Sequence, residues 1–205
     1  MDQEAEALNA LFDEGLQTLH FRKPDYDKAN FEGALKAIKP KYLKRVVIHS
    51  HYELIDRYNL KGIHFPEKIL ADLEDASGAI KKLQSKGMTV SASFHSIDRL
   101  YKNSYPLDYV FLSPIFESIS KPGYKSEMDL KELSAFIASA KKKPKVIALG
   151  GVETDKVPEL IKAGFDGFAI LGSLWNKYRI STNIDTLKEK YRDFVNLTKA
   201  HAGQA

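Results

Sequence analysis

The sequence predicts an α/β protein of the (β/α)8 (TIM) barrel class, with the first strand absent from the chain as it stands. Three observations carry this. Seven short apolar runs alternate with amphipathic stretches of helical period, the pattern of parallel strands joined by crossover helices. The runs are apolar nearly throughout, as strands covered on both faces must be. Polar residues and glycine pairs collect just past their C-terminal ends, which is where such barrels carry their chemistry. A closed barrel has eight strands. This chain instead opens with an amphipathic segment, 5–14, in the place of the helix that follows strand one.

The strands are expected at 18–22 (TLHFR), 45–49 (RVVIH), 62–65 (GIHF), 88–94 (MTVSASF), 108–112 (DYVFL), 145–149 (KVIAL) and 167–171 (GFAIL). Each is rich in β-branched or aromatic residues, and Pro114 stops the fifth. Helices are expected at 5–14, 26–37, 52–58, 71–86, 96–101, 130–140, 156–163 and 184–200. No linker, repeat or composition break interrupts the pattern, so residues 1–205 are expected to form a single barrel domain.

Composition narrows the function. Hydrophobic residues make up 43% and charged residues 28% of the chain, ordinary for a soluble globule. No apolar run is long enough to span a bilayer. The opening MDQEAEALNALF is acidic and amphipathic, unlike a secretory signal. Cysteine is absent, which excludes disulfides and thiolate metal sites and leaves the cytoplasm as the expected compartment. The net charge of +4 is dispersed, apart from Lys141, Lys142 and Lys143. That short run reads as a solvated loop before a strand, so neither nucleic acid nor membrane is expected as a partner. A mild basic excess suits a small anionic substrate.

The expected strand ends carry His20 and Arg22, then His49 and His51, His64, Ser93 and His95, Ser113 through Lys121, Gly150-Gly151 and Gly172-Ser173. Five of the six histidines lie on four successive ends. Arg22 and His20 share one side of their strand, and an arginine fork there can grip a phosphate or carboxylate. The alternative is an ion pair with Asp25 or Asp27. Gly150-Gly151 and Gly172-Ser173 end the last two strands, where barrels form a phosphate cup from backbone N–H groups and a helix N-terminus. A tight turn would need glycine too. Ser118, Ser120 and Lys121 offer two hydroxyls and an ammonium, which suits a di- or triphosphate leaving group. The alternative is a helix cap. The histidines suit a metal site or a hydrogen-bonded polar layer, and the second is favoured where no carboxylate stands beside them.

Taken in order, these segments resemble the thiamine-phosphate synthase and TenI superfamily of phosphate-binding barrels, from about Leu16 to Trp175. LHFRK resembles its Gln-x-Arg-x-Lys strand, GIHF its Gly-Val-His-Leu, and SFHS its Ser-Thr-His-Thr. DYVFLSPIFESISK resembles the strand ending Gly-Pro-x-Phe-x-Thr-x-Thr-Lys, while ALGGV and GFAILGSLW match the paired phosphate loops. The resemblance implies a transferase that joins hydroxymethylpyrimidine diphosphate to a thiazole phosphate and releases pyrophosphate. It implies that Arg22, Lys23, Ser93, Ser118, Ser120 and Lys121 hold the diphosphate and pyrimidine. Gly150, Gly151, Gly172 and Ser173 would hold the thiazole phosphate. Arg22, Lys121, His20 and His49 become the candidate catalytic residues. A homo-oligomer is compatible with it.

The departures are specific. His20 replaces the family glutamine, and Pro24 its lysine, with Lys23 adjacent. Mg²⁺ is implied, yet its two aspartate positions fall on Ser50 and near Ile69. The remaining oxygen donors are Ser50, Glu53, Glu67 and Glu117, few for a cation that takes oxygen ligands. Three readings follow: the synthase; a TenI-like thiazole tautomerase with His20 or His49 as acid–base group; and a non-catalytic barrel that binds a phosphorylated ligand.

Overall fold

The computed structural model describes residues 2–117, 128–139 and 144–202. Ser118, Ser120, Lys121 and Lys141–Lys143 lie outside them. Among the described residues seven strands form where seven were expected: β1 (Leu19–Phe21), β2 (Val46–Ile48), β3 (Gly62–Phe65), β4 (Thr89–Phe94), β5 (Tyr109–Leu112), β6 (Lys145–Leu149) and β7 (Gly167–Ala169). They follow one another in a single sheet in sequence order. The pairs β1–β2, β2–β3, β3–β4, β5–β6 and β6–β7 are parallel. A doubly wound sheet reverses its strand order at a switch point. No reversal occurs here, so the topology is that of the (β/α)8 class with seven strands.

Ten helices accompany them among the described residues: α1 (Asp2–Asp13), α2 (Lys28–Lys36), α3 (Ile55–Tyr58), α4 (Glu67–Ala71), α5 (Ala76–Ser85), α6 (Ile97–Tyr101), α7 (Leu130–Ser139), α8 (Val157–Lys162), α9 (Gly172–Ser181) and α10 (Ile184–Ala202). Three differ from expectation. The helix expected at 71–86 begins only at Ala76, and a separate short helix, α4, which was not expected, precedes it. Asp75 turns out of helical geometry (φ −127°, ψ 73°) and its side chain accepts from the Gly78 N–H at 2.8 Å. That makes it the N-cap of α5, and α4 stops before it. Helix α9 was not expected at all. Its segment GSLWNKYRIS opens with Gly-Ser and lacks a clean apolar stripe, so periodicity does not reveal it. Strand β7 is correspondingly shorter than 167–171.

The chain divides into two compact units. One comprises Met1–Ala92 with Tyr105–Leu107; the other comprises Ser93–Ser104 with Asp108–Ala205. In the first unit, α1 buries Ala7, Leu8, Leu11 and Phe12, the i, i+1, i+4, i+5 stripe of an amphipathic helix. Phe12 stacks on Tyr42 at 4.8 Å between centroids, and Phe21 meets Phe31 edge-on at 5.0 Å. In the second unit, α10 packs on α8 and α9 and buries Leu187, Tyr191 and Phe194.

The end of α1 is pinned by charge. Asp13 accepts from the Tyr42 hydroxyl, from Lys39 Nζ at 2.9 Å and from Lys41 Nζ at 3.4 Å. The Tyr42 bond, then the lysines, hold its carboxyl down at about 2, below its ordinary 3.8. A depressed folded-state value means the contribution is full above pH 3.8 and disappears as pH falls through about 2. We therefore expect Asp13→Asn to melt below the wild type at pH 7, with the gap closing between pH 4 and 2. Thermal melts across that range measure it.

Candidate active site

Strand register assembles the first unit's polar group. Ile48 pairs with Ile63, so His49 falls level with His64, and His64 pairs directly with Ser91. His20 is level with Val47, two residues before His49 and so on its face. The three imidazoles meet there. His20 Nδ1 lies 2.9 Å from His49 Nε2. The His49 and His64 rings stack at 4.3 Å, and His20 meets His64 edge-on at 5.3 Å. His64 Nδ1 is 2.9 Å from the Ser91 hydroxyl. Tyr52 donates its hydroxyl to the His49 and His64 carbonyls at 2.9 and 3.2 Å, tying β2 to β3.

Burial dominates the electrostatics of this group. It drives His20 well below the usual imidazole range, aided by repulsion from His49, should that ring also protonate, and from the Lys61 ammonium. Burial, then the Arg22 guanidinium, brings His49 down to about 4. Burial, then His49, His20 and Arg22, bring His64 down to about 2. All three rings are neutral at pH 7.

Arg22 follows β1 and is exposed. The alternative ion pair with Asp25 or Asp27 does not form among the described residues, and Asp27 instead caps α2 by accepting from the Asn30 N–H at 2.8 Å. Lys23 is half-buried, paired with Glu4 of α1, and lies 5.7 and 5.6 Å from the ring centroids of Phe21 and Tyr26. His51 leaves the group. It adopts a left-handed backbone (φ 52°), faces the Phe31 ring at 4.9 Å and bonds the Tyr26 carbonyl at 3.1 Å. The oxygen donors are scattered: Glu53 pairs with Lys28 at 3.1 Å, Ser50 and Glu67 are half-buried, and Glu117 is exposed.

The second unit holds the glycine loops. Leu149 pairs with Ala169, so Gly150-Gly151 and Leu171-Gly172-Ser173 leave the same end of adjacent parallel strands. Gly172 and Ser173 begin α9, whose first N–H groups have no partner within the helix. The Ser173 hydroxyl is buried, at 5% residue exposure, and among the described residues it finds no hydrogen-bond partner. An orphaned buried hydroxyl at a helix N-terminus suits an oxyanion. Gly150 and Gly151 have φ of 96° and 65°. They also face the segment after β5. A Cβ on Gly150 would lie 2.9 Å from Pro114 Cα, and one on Gly151 2.4 Å from the Glu117 carbonyl oxygen. The Ile115 and Phe116 N–H groups donate to Leu149 and Gly150 carbonyls at 3.0 and 3.1 Å. This close seating of one loop on the other was not expected from the sequence. A glycine pair beside a proline-led segment is its only trace. Ser93 is half-buried on β4, and His95 Nδ1 lies 3.0 Å from the Ser113 carbonyl.

Comparison with known proteins identifies the family. The family described as thiamine monophosphate synthase matches residues 1–174. The thiamine-phosphate synthase of Pectobacterium atrosepticum is 25% identical over 82% of this chain and 79% of its own. That of Staphylococcus saprophyticus is 23% identical over 77% and 72%. The crystal structure of thiamine phosphate pyrophosphorylase from Bacteroides thetaiotaomicron is similar at a TM-score of 0.78 and 32% identity, covering 96% of this chain and 91% of that one. The Pyrococcus furiosus thiamine phosphate pyrophosphorylase shares the fold at a TM-score of 0.74 and 14% identity, covering 96% and 90%. The chain belongs to the thiamine monophosphate synthase family, enzymes of thiamin biosynthesis.

Proposed function

We propose that this chain joins hydroxymethylpyrimidine diphosphate to a thiazole phosphate, with the N-terminus of α9 as the thiazole phosphate's seat. One observation carries the assignment of that seat: the buried, unpartnered Ser173 hydroxyl at the start of α9, beside the glycine pair. In this reading the methylene–oxygen bond of the diphosphate breaks and its electron pair leaves with pyrophosphate. The thiazole nitrogen's lone pair then forms the new carbon–nitrogen bond. No proton need move. The requirement is charge stabilisation on the leaving group, the role the resemblance assigns to Arg22, Lys23, Ser93, Ser118, Ser120 and Lys121.

The Mg²⁺ implied by the resemblance does not fit the donors present. Among the described residues, the one group of three or more candidate ligands is His20, His49 and His64, all nitrogen, and Mg²⁺ takes oxygen. The relatives' names favour the synthase over the tautomerase and over the silent binder. A cytoplasmic location accords with such a role.

Ser173→Ala tests the seat. Removing an orphaned buried hydroxyl should leave the melting temperature unchanged or raised, because that group costs about 1–3 kcal/mol when unsatisfied. The same change should raise KM for thiazole phosphate about tenfold or more, the loss of one bond to a charged group. KM for the dephosphorylated thiazole should not move. Equal KM for both thiazoles in the wild type would place the phosphate elsewhere.

A further inference from the structure

We propose that His20, His49 and His64 form a binding site for one borderline divalent transition metal ion of the Zn²⁺ or Co²⁺ class, with an anionic oxygen completing its coordination. The ligand atoms of the three imidazoles all lie within 4.8 Å of one another. Three nitrogens on a tetrahedral ion at ordinary zinc distances stand about 3.4 Å apart. The 2.9 Å between His20 Nδ1 and His49 Nε2 already brackets that value from below. Binding requires the rings to turn: the His49 and His64 rings stack with 26° between their planes, each must bring its plane onto the ion, and the His20–His49 hydrogen bond gives way to two metal–nitrogen bonds.

The donor types match. Imidazole suits Zn²⁺, Co²⁺, Ni²⁺ and Cu²⁺, whereas carboxylate and carbonyl oxygen suit Mg²⁺. Three protein ligands and one open position is the pattern of a reactive rather than a purely structural zinc site. The ligands are also prepared from behind. The Ser91 hydroxyl, itself buried, is directed at the Ile63 carbonyl at 3.5 Å, so its oxygen accepts from His64 Nδ1–H. That leaves Nε2 as the lone-pair nitrogen of His64. A histidine ligand held by a hydrogen bond through its other nitrogen is the usual support of a metal site. Tyr52 ties the backbones of two of the ligands, His49 and His64, to each other. His64 is buried at 2% exposure while His20 and His49 are half-buried, which gives an ion a way in. The nearby Arg22 guanidinium opposes a bare dication, and its exposure to water weakens that opposition. The same guanidinium favours an anionic oxygen as the remaining ligand, so a phosphate or diphosphate is the class of ligand the loaded centre would take.

The test is binding in the absence of either substrate, so its failure is separate from failure of the proposed reaction. Protein freed of metal with EDTA and then dialysed is titrated with CoCl₂ and followed by visible absorption. It is titrated with ZnCl₂ by calorimetry. We expect one ion per chain, tetrahedral cobalt bands, and no displacement by excess Mg²⁺. Ser91→Ala should keep the cobalt bands but weaken binding about 10- to 100-fold, the effect of losing a supporting hydrogen bond. His49→Ala and His20→Ala should each weaken it at least as much and alter the spectrum. Wild-type protein with no cobalt bands and no zinc heat overturns the proposal, whatever the variants do. Binding that survives unchanged in folded His49→Ala and His20→Ala also overturns it, because the ion would then sit elsewhere.

Discussion

Arg22→Ala is expected to lower the rate of pyrophosphate release about 10²–10³-fold, the loss typical when one preorganised donor to developing charge is removed. Arg22 is exposed and extends from the end of β1, and its charge reaches the histidines of β2 and β3. It packs no core, so circular dichroism and melting temperature should stay within error of the wild type. The loss should fall on kcat as well as on kcat/KM for the pyrimidine diphosphate. A change confined to KM would mean that Arg22 binds the ground state only. Arg22→Lys should recover little, because an ammonium cannot reproduce the paired N–H fork. Full turnover in Arg22→Ala would remove Arg22 from the leaving-group site.

The second large effect is expected at Gly151. Its φ of 65° is left-handed, and an added Cβ would lie 2.4 Å from the Glu117 carbonyl oxygen and 2.7 Å from Phe116 Cβ. Backbone strain of this kind costs about 1–3 kcal/mol. The contact at Glu117 is with main chain and cannot be relieved by a rotamer change. We expect Gly151→Ala to lower the melting temperature measurably. Glu117 immediately precedes Ser118 in the chain, so displacing that segment should also slow pyrophosphate release more than the stability loss explains. A Gly151→Ala protein with unchanged melting temperature and turnover would show that the two loops do not constrain each other. Kinetics at a temperature where both proteins are fully folded separate the two effects.

Much of this was legible in the sequence. The seven apolar runs marked all seven strands, because parallel strands buried on both faces leave a period-free apolar signature. Gly150-Gly151 marked the turn after β6, where both glycines take positive φ, whereas Gly172-Ser173 turned out to open α9. What escaped was set by local competition and tertiary packing. Asp75 starts α5 later than periodicity placed it, at Ala76 rather than residue 71, through a side-chain bond to the Gly78 N–H. Helix α9 hid behind a Gly-Ser opening that reads equally well as a loop. The histidines were visible as a cluster, but which of them converge depends on register and on one backbone angle. Register brings His20, His49 and His64 together, while the left-handed turn at His51 sends that ring to Phe31 instead. The seating of Gly150 and Gly151 on Pro114–Glu117 is a contact between distant segments, and no short-range pattern encodes it.

Coupling of a pyrimidine methyl diphosphate to a thiazole phosphate is the reaction proposed for this chain. The most direct measurement is pyrophosphate release by the full chain given both substrates, with thiamin phosphate quantified in the same samples. It is run with chelator, with Mg²⁺ and with Zn²⁺. One pyrophosphate is expected for each thiamin phosphate, with no release when thiazole phosphate is omitted. Folded protein that releases no pyrophosphate under any of these conditions would contradict it.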